Sequence, residues 1–237
     1  MGKLIKLQLR NIFHSKLFYI CLGLMILLGP IATMIVNNTL SEIVKVYGIC
    51  DEILSILSVG IIETVFIVLV SCSDYSDGTT KNIIARGYTR TQLLFSKYIA
   101  ILISLIIMFS VTVLFCIILL YKNGFGYEKN MFYDLINHIV CIITYTVFYT
   151  TMAFLLEKNG SAIIACLFVP QLLPTIMSLL NKIIKFDFNK LWMEHGSDIF
   201  EKKPTLGNLG ISVLYYFVYI IIFIIVGTQL LNRKEIK

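Results

Sequence analysis

Among the side chains that can do chemistry, Glu63 stands apart as the one formally charged residue within six long apolar runs, near the middle of the second. A carboxylate at that depth costs roughly 2.5–3.5 kcal/mol on insertion scales, so it must face protein or water. It reads either as a contact for a cationic substrate or as an interhelical hydrogen-bonding group. His138, Cys141, Tyr145 and Tyr149 follow at helical spacing in the fourth run and share one face. That face either lines a pathway or packs its hydroxyls against a neighbouring helix. The signatures GxxxxGK[ST], HExxH and GxSxG are absent, as are paired acids within the apolar runs, which argues against an ATPase or an intramembrane enzyme in this chain. The six cysteines form no CxxC pair and no Cys/His spacing that suits zinc, and five fall within or at the end of apolar runs, where cysteine behaves as a small hydrophobe. No metal or disulfide is expected.

The elements that must position these residues follow from composition. Of 237 residues, 58% are hydrophobic and only 14% charged, and the mean hydropathy is +0.86. Soluble domains run near 45–50% apolar and about 25% charged, so lipid rather than water is the solvent implied. The formal charge of +6 does not indicate nucleic acid, because the cations lie between the apolar runs and flank them. Six runs have the roughly 20 residues a spanning helix needs: 17–36, 53–72, 99–120, 135–156, 161–180 and 209–231. The expected fold is an all-α membrane protein of one domain, residues 1–237, with six transmembrane helices. The first run is too long for a signal-peptide core and no A-x-A site follows it, so it is expected to be retained.

Basic residues orient the spans. Lys3, Lys6, Arg10 and Lys16 precede the first, Lys81, Arg86, Arg90 and Lys97 lie in the loop after the second, and Arg233, Lys234 and Lys237 end the chain. Placing both termini in the cytoplasm puts 12 of the 20 Lys and Arg there, including all four arginines. Five of the remaining eight fall in the long outer loop 181–208, which mixes Phe186, Phe188, Leu191 and Trp192 with charges. That loop suits a membrane-surface cap or an ordinary interface anchor. Pro170 and Pro174 are expected to kink or break the fifth span before it. At the N-terminus Ile5, Leu9, Ile12 and Phe13 oppose Lys3, Lys6, Arg10 and His14, the pattern of an interfacial amphipathic helix. It reads either as an anchor for the first span or as an elbow that also touches a cytoplasmic partner. Lys6 occupies the position where a myristoylation signal needs Ser or Thr.

The loop after the second span carries the most specific pattern. Asp77 and Gly78 supply a turn, Thr79 or Thr80 can cap a short amphipathic helix over Thr80–Ala85, and Gly87 is a natural C-cap. Thr89 can cap the helix that runs on through Leu93, Leu94 and Tyr98 into the third span. This stretch resembles the coupling loop of type-2 ABC exporter permeases, in which an acidic residue precedes Gly-Thr, followed by two apolar residues, a turn, an Arg and a Lys. The matching positions are Asp74 or Asp77, Gly78, Thr79, Ile83, Ile84, Gly87, Arg90 and Lys97. The layout of six spans with a long outer loop before the last is similar too, most of all to the short bacterial permeases of bacitracin and lantibiotic immunity and export. The chain departs from that pattern in having Asp where many members carry Glu, and Gly87 where they carry Pro.

The resemblance implies a multi-pass subunit of a bacterial plasma membrane. Two permease chains, identical or similar, would assemble with two cytoplasmic ATP-binding subunits that hold ATP and Mg. The short loop helix would seat in a groove of the ATPase, and the cargo would be an amphipathic or antimicrobial peptide, or else a hydrophobic drug or lipid. An ATP-independent transporter or channel is the competing reading, disfavoured by a single intramembrane carboxylate and no visible inverted repeat.

Overall fold

The computed structural model describes residues 1–39, 60–76, 78–122, 131–184, 187–202 and 204–233. The expected residues 53–59 of the second span, and with them Lys45, Cys50, Asp77 and Phe186, lie outside these ranges. The described residues form helices and no strand. In chain order they are α1 (Gly2–His14), α2 (Lys16–Thr39), α3 (Ile61–Ser76), α4 (Thr79–Ala85), α5 (Arg90–Lys122), α6 (Met131–Leu156), α7 (Asn159–Ile184), a 3-10 turn (Phe188–Leu191), α8 (His195–Lys202) and α9 (Leu206–Arg233). The described part of each expected apolar run falls on one of the helices α2, α3, α5, α6, α7 and α9, the second run from Ile61 onward. An apolar run of this length, taken out of water, satisfies its backbone only by coiling on itself. Helices α5, α6, α7 and α9 are each long and apolar enough to cross a bilayer. A fifth crossing arises if α1 and the start of α2, bent by 64°, form one broken span.

Helix α6 is the centre of the bundle. It packs on α3, α5, α7 and most extensively α9, while α1 and α2 lie against α5. Three of its hydroxyls are satisfied locally: Thr144, Thr146 and Thr151 each donate to the carbonyl four residues earlier, as do Ser71 on α3 and Ser104 and Thr112 on α5. Such back-bonding lets polar side chains sit in an apolar interior. The outward faces of α7 and α9 are largely apolar, with Ile164, Phe168, Leu172, Leu214, Phe217 and Ile222 exposed. Continuous faces of this kind are covered by hydrocarbon in a membrane and would associate in water.

The structure adds detail to three expectations. At Pro170 and Pro174 the fifth run is not broken: α7 is continuous to Ile184. In the N-terminal helix Leu4, Gln8 and Ile12 are buried and turned onto α5, with Ile5, Leu9 and Phe13 part-buried beside them. In the stretch after α7, Trp192, Met193 and Phe200 are buried.

Candidate functional site

Two αL glycines bracket α4. Gly78, at φ 65°, is its N-cap, and Gly87, at φ 87°, follows its C-terminus with its N–H donated to the Ile84 carbonyl at 2.9 Å. Positive φ costs a residue with a Cβ about 1–2 kcal/mol, which is why both ends of so short a helix carry glycine. The threonines act differently from the expected caps. Thr80 Oγ1 donates to the Asp74 carbonyl at 3.0 Å, and Thr79 Oγ1 to the Asp74 carboxylate at 3.1 Å. Both reach back to the end of α3 instead of capping their own helix. Thr89 behaves as expected: its Oγ1 accepts from the Gln92 N–H at 3.2 Å, and Gln92 Oε1 accepts from the Thr89 N–H at 3.1 Å, a complete capping box at the start of α5.

Beneath this loop lies a buried polar node. Lys97 Nζ pairs with Asp74 Oδ2 at 3.1 Å and donates to the Val70 carbonyl at 2.8 Å. Gln8 Nε2 donates to the same Asp74 oxygen at 2.8 Å. One carboxylate therefore ties α1, the end of α3, the start of α4 and α5 together. Arg90 adds a further brace, donating from Nη1 to the Leu231 carbonyl at 3.0 Å in the last turn of α9, where a cation is favoured by the helix dipole. Ile83 is buried among Leu4, Leu93, Leu94, Tyr98 and Leu231, so the apolar side of α4 is spent inside the chain. Ile84 is part-buried, while Asn82, Ala85, Arg86 and Gly87 are exposed.

The family model that matches residues 35–237 covers nearly all of this machinery. The chain belongs to the family described as "Protein of unknown function (DUF2705)". No curated protein matches it. The DUF2705 segment holds Asp74, both glycine caps, Arg90 and Lys97, whereas Gln8 reaches into the node from residues that precede it.

The other residues singled out from the sequence of this DUF2705 chain are buried. Glu63 is buried and its Oε2 accepts the Gly60 N–H at 2.7 Å. It is the third residue of α3 and reaches back to the residue before that helix, which is half of a capping box. His138, Tyr145 and Tyr149 are all buried. The Tyr145 and Tyr149 rings sit 5.4 Å apart, and the Tyr145 hydroxyl donates to Glu194 Oε1. Glu194 arrives from the stretch between the 3-10 turn and α8. Burial raises its carboxyl above the usual value, and the Tyr145 bond acts in the opposite direction. Higher in the same seam, Asn137 donates to Ser197 at 3.0 Å and accepts from Ser212 at 2.6 Å, joining α6, α8 and α9.

Sequence reasoning missed Gln8, Asn137 and Glu194. The only signal was a polar residue in an otherwise apolar stripe, as with Gln8 between Leu4 and Ile12, or an acid beside Trp192 in an aromatic segment. No cluster of three or more metal-ligating side chains occurs among the described residues.

Proposed function

We propose that the chain is the transmembrane subunit of an ATP-driven ABC exporter of a bacterial plasma membrane, moving an amphipathic or antimicrobial peptide. In this reading six spans cross the membrane, both termini are cytoplasmic, and two such subunits work with separate ATP-binding subunits. The observation that carries it is the build of α4. A connecting loop between two spans needs neither glycine caps nor a buried ion pair. A lever that receives force from a soluble partner needs both, because a flexible element would absorb the motion it is meant to transmit. The apolar groove of about 280 Å³ between α5 and α6, lined by Ile106, Phe109, Val113, Leu135 and Ile142 and open to the outside of the bundle, offers a surface for apolar side chains of cargo.

The test uses the outward side of α4. Ile83 is unsuitable, since its burial makes any charged substitution a test of folding. Ala85→Trp combined with Arg86→Glu alters only exposed positions. The expected outcome is a chain that reaches the membrane at normal level, fails to co-purify with an ATP-binding subunit and confers no export. Retention of partner and export in this variant removes α4 as the coupling element and the exporter assignment with it.

A further inference from the structure

The stretch between the 3-10 turn and α8 reaches deep into the bundle. Trp192 sets its ring 6.4 Å from that of Tyr219, in the middle of α9, and Glu194 meets Tyr145, in the middle of α6. At a rise of 1.5 Å per residue, both contacts lie about 20 Å along their helices, counted from Met131 and Leu206. Two kinds of contact hold the stretch there. Asn137 donates to Ser197 and accepts from Ser212, while Gly196 packs against the Ser212 backbone. None of these groups titrates, so they form a fixed anchor. At the deep tip the bond runs from the Tyr145 hydroxyl to the Glu194 carboxyl, and that carboxyl can change its charge.

The groups that face Glu194 are Tyr145, Tyr149 and Cys141 from α6, Tyr216 from α9, Trp192 from its own stretch and Asp198 from α8. None of these is a cation, and Asp198 is itself an acid. Glu63 on α3 and Glu201 on α8 lie within range of the same Cys141. His195 turns its ring onto Tyr215 at 5.8 Å, and His138 is buried on α6 three residues before Cys141. A carboxylate formed among such neighbours gives up water for hydroxyl and indole donors alone. We propose that the Glu194–Tyr145 contact is a proton-operated latch: it keeps the tip Trp192–Glu194 seated between α6 and α9, and loss of the Glu194 proton to water releases the tip about the Asn137–Ser197–Ser212 anchor. Burial and Asp198 both lift the Glu194 carboxyl above its ordinary 4.5. The seated form is therefore complete at low pH and is lost as pH rises through the raised value. The proposed orientation enters only in setting this latch at the outer side, where it senses the pH outside the cell.

Trp192 is the one tryptophan of the chain, so its fluorescence reports on the tip without a label. The full chain in lipid nanodiscs is titrated upward from pH 4.5, the ordinary value of the carboxyl. At the acid end the emission is expected to be blue-shifted and shielded from acrylamide. It should move to longer wavelength, with quenching rising several-fold, as Glu194 ionises. Glu194→Gln should keep the tip shielded at every pH. Asp198→Asn, at an exposed position, removes a like charge and should move the midpoint down, whereas Tyr145→Phe removes a donor to the carboxylate and should move it up. His138→Gln and His195→Gln should leave the midpoint in place. Quenching that ignores pH, a Glu194→Gln chain that titrates like wild type, or a midpoint that follows either histidine and not Asp198 each overturn the latch. A wavelength shift with unchanged quenching overturns it too, because the charge then acts on an indole that stays seated. Should Glu194→Gln fail to accumulate, the opposite shifts of Asp198→Asn and Tyr145→Phe decide the matter. None of these readouts depends on export or on a partner, so the latch stands or falls apart from the proposed function.

Discussion

Asp74 and Lys97, 23 positions apart in sequence, form an ion pair at 3.1 Å with side chains only 7% and 2% exposed. Removing one member of such a pair strands a buried charge, at a cost of about 3–5 kcal/mol, whereas replacing both with neutral groups of similar shape is often close to neutral. Lys97→Met is therefore expected to lower the melting temperature of the detergent-solubilised protein sharply. Lys97→Met with Asp74→Asn should recover most of the loss. Equal melting of the single and double variants would show that the pair contributes no mutual stabilisation.

Two residues with positive φ should respond oppositely to substitution. Gly87 has open space around the position of a Cβ, so Gly87→Ala isolates the backbone effect at φ 87° and should cost about 1–2 kcal/mol. Glu157 adopts φ 58° in the turn between α6 and α7, and Glu157→Gly should gain roughly 0.5–1 kcal/mol by relieving the same strain. Thermal shifts of opposite sign are the expected result, and a destabilised Glu157→Gly would mean that its side-chain contacts outweigh the strain.

These local features were largely legible in the sequence, and the tertiary ones were not. A run such as 209–231 can bury its backbone only as a helix, and Thr89 is read as the cap of α5 from its type and place, although its reciprocal partner Gln92 emerges only in the structure. Gly60 and Glu63 have the same three-residue spacing. There the burial of a charge drew attention to substrate, and the helix start went unread. The bonds from Thr79 and Thr80 to Asp74 depend on where α3 ends, which no local pattern states. Gln8 meets Asp74 across 66 positions and Tyr145 meets Glu194 across 49, and pairings of that kind exist only once the bundle has assembled.

Close packing of α8 on α9 supplies a third test. A Cβ at Gly196 would stand 2.9 Å from the Ser212 Cα, a backbone atom that cannot swing aside, and 2.9 Å from the Tyr215 Cβ. Gly196→Ala should cost about 1–3 kcal/mol as an overpacked contact and free the 187–202 stretch for proteolysis. Gly210→Ala, with nothing within 4 Å of its Cβ position, should leave cleavage unchanged.

The proposed orientation is checked by single cysteines in a background lacking Cys50. Asn82→Cys should resist impermeant thiol reagents in intact cells, and Lys202→Cys should label, both positions being exposed on the folded chain. The reverse pattern would invert the topology and with it the cytoplasmic role of α4.

Glu194 gives a pH dependence whose direction is set by its burial. Desolvation penalises the carboxylate and raises the carboxyl above its ordinary value of 4.5, with Asp198 adding in the same direction and the Tyr145 bond opposing. A raised acid favours the folded state most when it is protonated. The stabilisation is thus fully present below about 4.5, the unfolded value, and is lost as pH climbs through the raised one. Wild type should release the 187–202 stretch to protease progressively as pH is increased over that window. Glu194→Gln keeps an acceptor for the Tyr145 hydroxyl and cannot ionise. Its proteolysis rate should stay flat over the same range, near the low-pH rate of the wild type. A Glu194→Gln profile that still tracks pH like wild type would assign the titration to another group and leave Glu194 as a pH-independent hydrogen-bond acceptor.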